Sequence, residues 1–126
     1  MSNLLPMPTV DQLVQVFRER NWTPTRQVGA SPTRVQRGEC CAVPALCLMA
    51  DPHSLDELDK FEDAEPLYRI VREHYGPYAL HIVSGFDNYP LEGMMVRYPV
   101  NNAISNWYAL GTELYRALTK RESNDD

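Results

Sequence analysis

A chain of 126 residues, 44% hydrophobic and 23% charged, has the size and composition of one ordinary globular domain. No apolar run approaches the roughly 18 residues a membrane-spanning helix needs, and the start, MSNLLPMPTV, lacks the features of a secretory signal. A cytoplasmic protein outside the membrane is therefore expected.

The net charge of −5 is unevenly placed. Between residues 51 and 65 stand Asp51, Asp56, Glu57, Asp59, Glu62, Asp63 and Glu65 against Lys60 alone, so this stretch carries −6 and the rest of the chain +1. Residues 18–37 run the other way, with Arg18, Arg20, Arg26, Arg34 and Arg37 against Glu19. An acidic surface repels phosphate, which disfavours general nucleic-acid binding, although the arginine segment leaves it open.

In chain order, Thr9 and Gln12 form a capping box, and Val10, Leu13, Val14 and Phe17 share one helical face. A helix is expected from Val10 to Arg20, stopping before Trp22-Thr23-Pro24 because proline biases the preceding residue away from helix. Residues 24–38 contain two prolines and two glycines without periodicity and read as a long loop able to carry a short accessory β-hairpin. Cys41 to Ala50 is small and apolar all round, as a buried central helix is, with Pro44 tolerated in its first turn.

Ser54 and Glu57 form a second capping-box pattern, predicting a short acidic helix with Leu55, Leu58 and Phe61 inward. Pro66 opens another helix with Leu67, Ile70, Val71 and His74 on one face. After Gly76-Pro77, the run holding Ala79, Ile82, Val83 and Phe86 fits a helix better than a buried strand, though periodicity alone does not separate the two. Asp87-Asn88-Tyr89-Pro90 is turn chemistry, and Met94 to Val100 has edge-strand character limited by Pro99.

The last helix is the clearest, with Ile104, Trp107, Tyr108, Gly111, Leu114, Tyr115 and Leu118 in one stripe. A glycine inside that stripe predicts close approach by another backbone. Such a stripe serves a homodimer as well as a monomer core. The tail 122–126 is polar, acidic and expected to fray. The expectation is one mainly α domain over 1–126, with about five helices bundled around the Cys41–Ala50 helix and a helical core over 41–121.

Four groups of residues offer chemistry. Cys40 and Cys41 stand at a helix start, where a dipole stabilises a thiolate, and His53, His74 or His81 brought near by folding would serve as base. The ordinary explanation is that small thiols pack well in a crowded helix. The three cysteines are too few and too crowded for a disulfide framework, and their spacing with the histidines lacks the paired pattern of a zinc site; no metal or cofactor is expected. The acidic stretch lacks the ligand order and glycine of a calcium loop, so it reads as a solvated face or as a dock for a basic partner, with Asp56, Glu57, Asp59, Glu62 and Asp63 as contacts. Asp87 fits a turn better than a catalytic carboxylate.

Asn21-Trp22 after a first helix, a loop, Cys40-Cys41-Ala42-Val43-Pro44-Ala45, the Gly85-Phe86-Asp87-Asn88 turn and the terminal amphipathic helix together resemble a group of small bacterial and phage-borne proteins. Their pattern is a helix ending in Gly-Trp, a variable loop and Cys-x-x-Gly-Ala entering a buried helix. This chain departs from it with Pro44 in the glycine position, which fixes φ where glycine leaves it free. The resemblance implies fold and provenance and carries no catalytic residues. The reading that follows is a non-enzymatic interaction module, a phage- or plasmid-borne inhibitor of a host protein, acting through its acidic surface on a basic protein. Its rivals are a cysteine-dependent enzyme or redox protein using Cys40 or Cys41, and a small-ligand binder walled by Trp22, Trp107 and the tyrosines.

Overall fold

The computed structural model describes residues 4–89 and 102–123. The fold is mainly α, with six α-helices among these residues: α1 (Val10–Arg20), α2 (Pro32–Gln36), α3 (Ala42–Ala50), α4 (Glu65–Tyr75), α5 (His81–Phe86) and α6 (Asn102–Ser123). Two short strands, β1 (Thr23–Pro24) and β2 (Glu39–Cys40), flank α2, and a 3-10 turn spans Leu58–Lys60. The Met94–Val100 stretch and the end of the chain beyond Ser123 lie outside the described residues. α6 continues to Ser123, two positions into the stretch expected to fray.

The capping box of α1 forms as its sequence requires: Gln12 N–H donates to Thr9 Oγ1, and Thr9 N–H donates to Gln12 Oε1. At the other end Asn21 takes a left-handed conformation, φ 56°, and its N–H closes on the carbonyls of Phe17 and Arg18. Leu13, Val14 and Phe17 are buried. Helix α3 is buried from Ala42 through Leu48, with Pro44 in its first turn. The run at 78–86 resolves to helix, with Ile82, Gly85 and Phe86 buried. On α4 the inward face is Leu67, Val71 and Tyr75, so Tyr75 rather than His74 completes it, while His74 Nδ1 lies 2.9 Å from Ile70 O.

Two expectations are corrected. The accessory β element is a parallel pair, with Thr23 opposite Glu39 and Pro24 opposite Cys40. A hairpin reverses direction, whereas here α2 acts as a crossover that returns the chain in the same sense. The acidic helix after Ser54 does not form: the chain makes successive turns and only the 3-10 segment. Ser54 Oγ is buried without a hydrogen-bond partner, so the capping box is not made. Acids at 56, 59, 62 and 63 repel at helical i,i+3 and i,i+4 spacing, which removes the incentive to wind.

The buried apolar side chains form a cluster drawn from α1, α3, α4, α5 and α6, with α3 threaded through it. The most extensive helix pair is α5 with α6, followed by α3 with α4. Its closest point is reciprocal: a Cβ on Gly85 would lie 1.9 Å from Tyr108 O, and one on Gly111 would lie 2.1 Å from Ile82 O. The glycine in the α6 stripe does admit a neighbouring backbone, and that backbone has its own glycine at the crossing. Thr112 Oγ1 lies 3.2 Å from Tyr108 O and 3.3 Å from Gly85 O across the same junction.

Candidate functional site

The acidic segment is fastened at one edge and open elsewhere. Leu58 is buried and Leu55 and Phe61 are half-buried, which pins the segment to the core. Asp51, Asp56, Glu57, Asp59, Glu62, Asp63 and Glu65 are all exposed. Several carboxylates are engaged locally: Asp51 Oδ1 accepts from His53 N–H at 2.9 Å, and Asp63 Oδ1 accepts from Glu65 N–H at 3.0 Å. Asp56 pairs with His53 at 3.0 Å, Glu57 with Lys60 at 3.4 Å, and Glu65 with Arg72. These exposed pairs add little stability, because solvent screens them and the side chains lose entropy in forming them. Asp59 and Glu62 have no ion-pair partner among the described residues.

The 3-10 turn packs beside α2, which carries Arg34. Arg34 is committed elsewhere, its Nη1 donating to Glu39 Oε1 at 2.7 Å. Acidic and basic stretches therefore lie side by side without an ion pair joining them among the described residues. Of the other arginines, Arg18 and Arg20 stand in the last turn of α1, where a cation complements the helix dipole.

Arg26 is different, and its sequence context gave no sign of it. Its Nε donates to Phe86 O at 2.8 Å, and its guanidinium lies 3.7 Å from the centroid of the Tyr115 ring. Both contacts favour a cation: the end of α5 carries partial negative charge, and the ring face attracts a guanidinium. The neighbouring Gln27 N–H donates to Asp87 Oδ1 at 3.0 Å. Asp87 thus serves a backbone group sixty positions away rather than its own turn. It is 6% exposed and is the charged residue most deeply buried among those described. Burial pushes its carboxyl above the ordinary range, partly offset by the Gln27 N–H and by Arg26.

All three cysteines are reduced and buried. Cys41 caps α3, its Sγ accepting from Val43 N–H at 3.5 Å, and Cys47 Sγ donates to Leu67 O at 3.4 Å. The helix-start position expected to favour a thiolate is occupied, but desolvation outweighs it. Burial pushes Cys41 and Cys47 up to about 12 and Cys40 higher still, the neighbouring Cys41 adding to the effect on Cys40 and Cys47. At neutral pH these groups are thiols, and a thiol is a poor nucleophile. His53 is exposed and paired with Asp56, while His81 stacks on Tyr78. No group of three His, Cys, Asp or Glu able to hold a metal ion occurs among the described residues. None of their helices is long and apolar enough to cross a membrane.

The aromatics suggested as pocket walls pack on one another. Trp22 meets Phe17 edge-on at 5.7 Å, Phe17 stacks on Phe86 at 6.4 Å, and Phe86 meets Tyr115 at 5.1 Å. Trp107 meets Tyr75 edge-on at 5.8 Å. These contacts tie α1, α4, α5 and α6 together. No protein-family model matches the chain, and neither a curated protein nor a solved structure matches it.

Proposed function

We propose that this protein is a non-enzymatic interaction module that binds a basic macromolecular partner through its 51–65 segment, as a phage- or plasmid-borne inhibitor of a host protein would. One observation carries the reading: a run of exposed carboxylates is held on an irregular segment anchored by Leu58, with Asp59 and Glu62 in no ion pair among the described residues. An irregular segment with a buried anchor presents side chains in several directions at small ordering cost on binding. Concentrated charge of one sign accelerates encounter with an oppositely charged surface and does so less as salt rises. The buried, protonated thiols weigh against the cysteine-dependent alternative.

The test is capture by tagged protein from host-cell lysate at low and moderate salt, beside a variant with Asp56→Asn, Glu57→Gln, Asp59→Asn, Glu62→Gln and Asp63→Asn. A stoichiometric, salt-sensitive partner retained by the native chain and lost by the folded variant supports the reading. Equal capture by both removes this surface from the function.

A further inference from the structure

Glu113, Arg116, Ala117 and Lys120 recur along α6 at i, i+3, i+4 and i+7 and so share one face of the helix. Where this face passes the start of α1, the two helices leave a cavity of about 230 Å³, bounded on the other side by Val10. Val10 and Ala117 are half-buried and rest against the core, whereas Glu113, Arg116 and Lys120 are exposed. The cavity thus has an apolar wall and a charged rim.

Sites for drug-sized ligands measure about 300–1,000 Å³, so this one suits a smaller molecule and is too small for a nucleotide cofactor. Its charges are not spent on one another. Glu57 and Lys60, three residues apart, pair at 3.4 Å. Glu113 and Arg116 have the same spacing, yet neither is in an ion pair among the described residues. Arg116 and Lys120 stand four apart on the same helix, where like charges repel, and a carboxylate seated beside them relieves that repulsion. A simple anion would also meet the Glu113 carboxylate, and a simple cation would meet the Arg116 guanidinium. A molecule carrying both charges escapes both penalties.

We propose that this cavity binds a small zwitterion, a free α-amino acid with a short aliphatic side chain. Arg116 takes its carboxylate, for which the planar guanidinium fork is shaped, with Lys120 alongside. Glu113 accepts from its ammonium group one helical turn away, and the aliphatic side chain covers Val10 and Ala117. The rim is open to water, so each charge contact is partly screened and the affinity is modest, with Kd about millimolar. The site lies on α1 and α6, apart from the 51–65 segment, and stands or falls independently of that surface.

The probe is L-leucine, added to the native chain to about 20 mM and followed by amide resonances in nuclear magnetic resonance spectra. Saturable shifts are expected at Val10, Arg116 and Ala117. Two analogues each lack one charge: 4-methylpentanoate has no ammonium group and isoamylamine no carboxylate. Each should bind about tenfold more weakly or worse, since one partner on the rim is then left unmatched. Arg116→Gln and Glu113→Gln should each weaken L-leucine by about tenfold while keeping the native unfolding midpoint, because both positions are exposed. Absence of saturable shifts with L-leucine overturns the site. Equal binding of 4-methylpentanoate and L-leucine, or undiminished binding of L-leucine by both variants, overturns the assignment to a zwitterion held by these residues.

Discussion

The α5–α6 crossing and the 51–65 segment are opposite solutions to placing a chain. At the crossing, Gly85 and Gly111 put backbone against backbone so closely that no side chain fits at either position. In the acidic segment, buried Leu58 and half-buried Leu55 and Phe61 fix the path, and every carboxylate faces solvent. The first region is determined by steric exclusion, which tolerates no change. The second is determined by a few apolar anchors, which leaves its charges free to be read by another molecule. Structural necessity and functional freedom are thus separated in space, and substitutions should divide accordingly.

The largest effect is expected from Gly85→Ala or Gly111→Ala. On helix propensity alone each would stabilise by about 1 kcal/mol. At the crossing the new Cβ meets a carbonyl oxygen that cannot turn aside, and we expect a loss of more than about 3 kcal/mol, read by urea unfolding. A variant as stable as the native chain would show that the crossing is looser than its geometry.

Next comes Arg26→Ala, which removes a charged hydrogen bond and a cation–ring contact and should cost about 1–2 kcal/mol. Comparison with Arg34→Ala sharpens the point. Arg34 sits in an exposed ion pair with Glu39, and its loss should change stability by less than about 0.5 kcal/mol. Similar losses in the two variants would deny that Arg26 is special.

Asp87 gives a pH test of definite sign. Its carboxyl is raised in the folded chain from the ordinary 3.8, chiefly by burial, so the folded state holds the proton more tightly than the unfolded state. Its favourable contribution is complete below 3.8, is lost as pH rises through the raised value, and is then constant. The stability of the native chain relative to Asp87→Asn should therefore decline from mildly acid pH towards neutrality. A relative stability that instead climbs with pH would mean that Arg26 and the Gln27 amide outweigh burial.

The smallest effect on stability belongs to the acidic surface. Neutralising Asp56, Glu57, Asp59, Glu62 and Asp63 together should move the unfolding free energy by less than about 1 kcal/mol, since single exposed positions of this kind count for little. The same variant is the one expected to lose its partner. A large destabilisation would place these residues with the core and end the division drawn above.

How much of this was readable in advance depends on how far each signal extends along the chain. Val10, Leu13, Val14 and Phe17, and the α6 stripe, are regular patterns of several turns, and they mark their helices plainly. Gly111 was legible because it interrupts such a stripe; Gly85 was not, because it stands in a short helix that reads as the lead-in to a turn. Helix α2 buries Pro32 and Val35 over five residues, too little for any period to emerge. The Ser54–Glu57 pattern promised a cap, but a cap only begins a helix that other forces must prolong, and like charges work against this one. The acidic run was visible from composition, and its exposure follows from the cost of burying charge.

Cap chemistry, apolar periodicity and the hydration of charge act over one to four turns of chain, and so α1, α3, α4 and α6, together with the open acidic face, are written in consecutive residues. The parallel pairing of Thr23 with Glu39, the Gly85–Gly111 crossing, and the bonds from Arg26 and Gln27 to Phe86 and Asp87 exist only once distant segments have met. The same packing decides that a cysteine capping α3 is a protonated core thiol: its chain neighbours favour the thiolate, and only the surrounding helices remove the water that a thiolate requires.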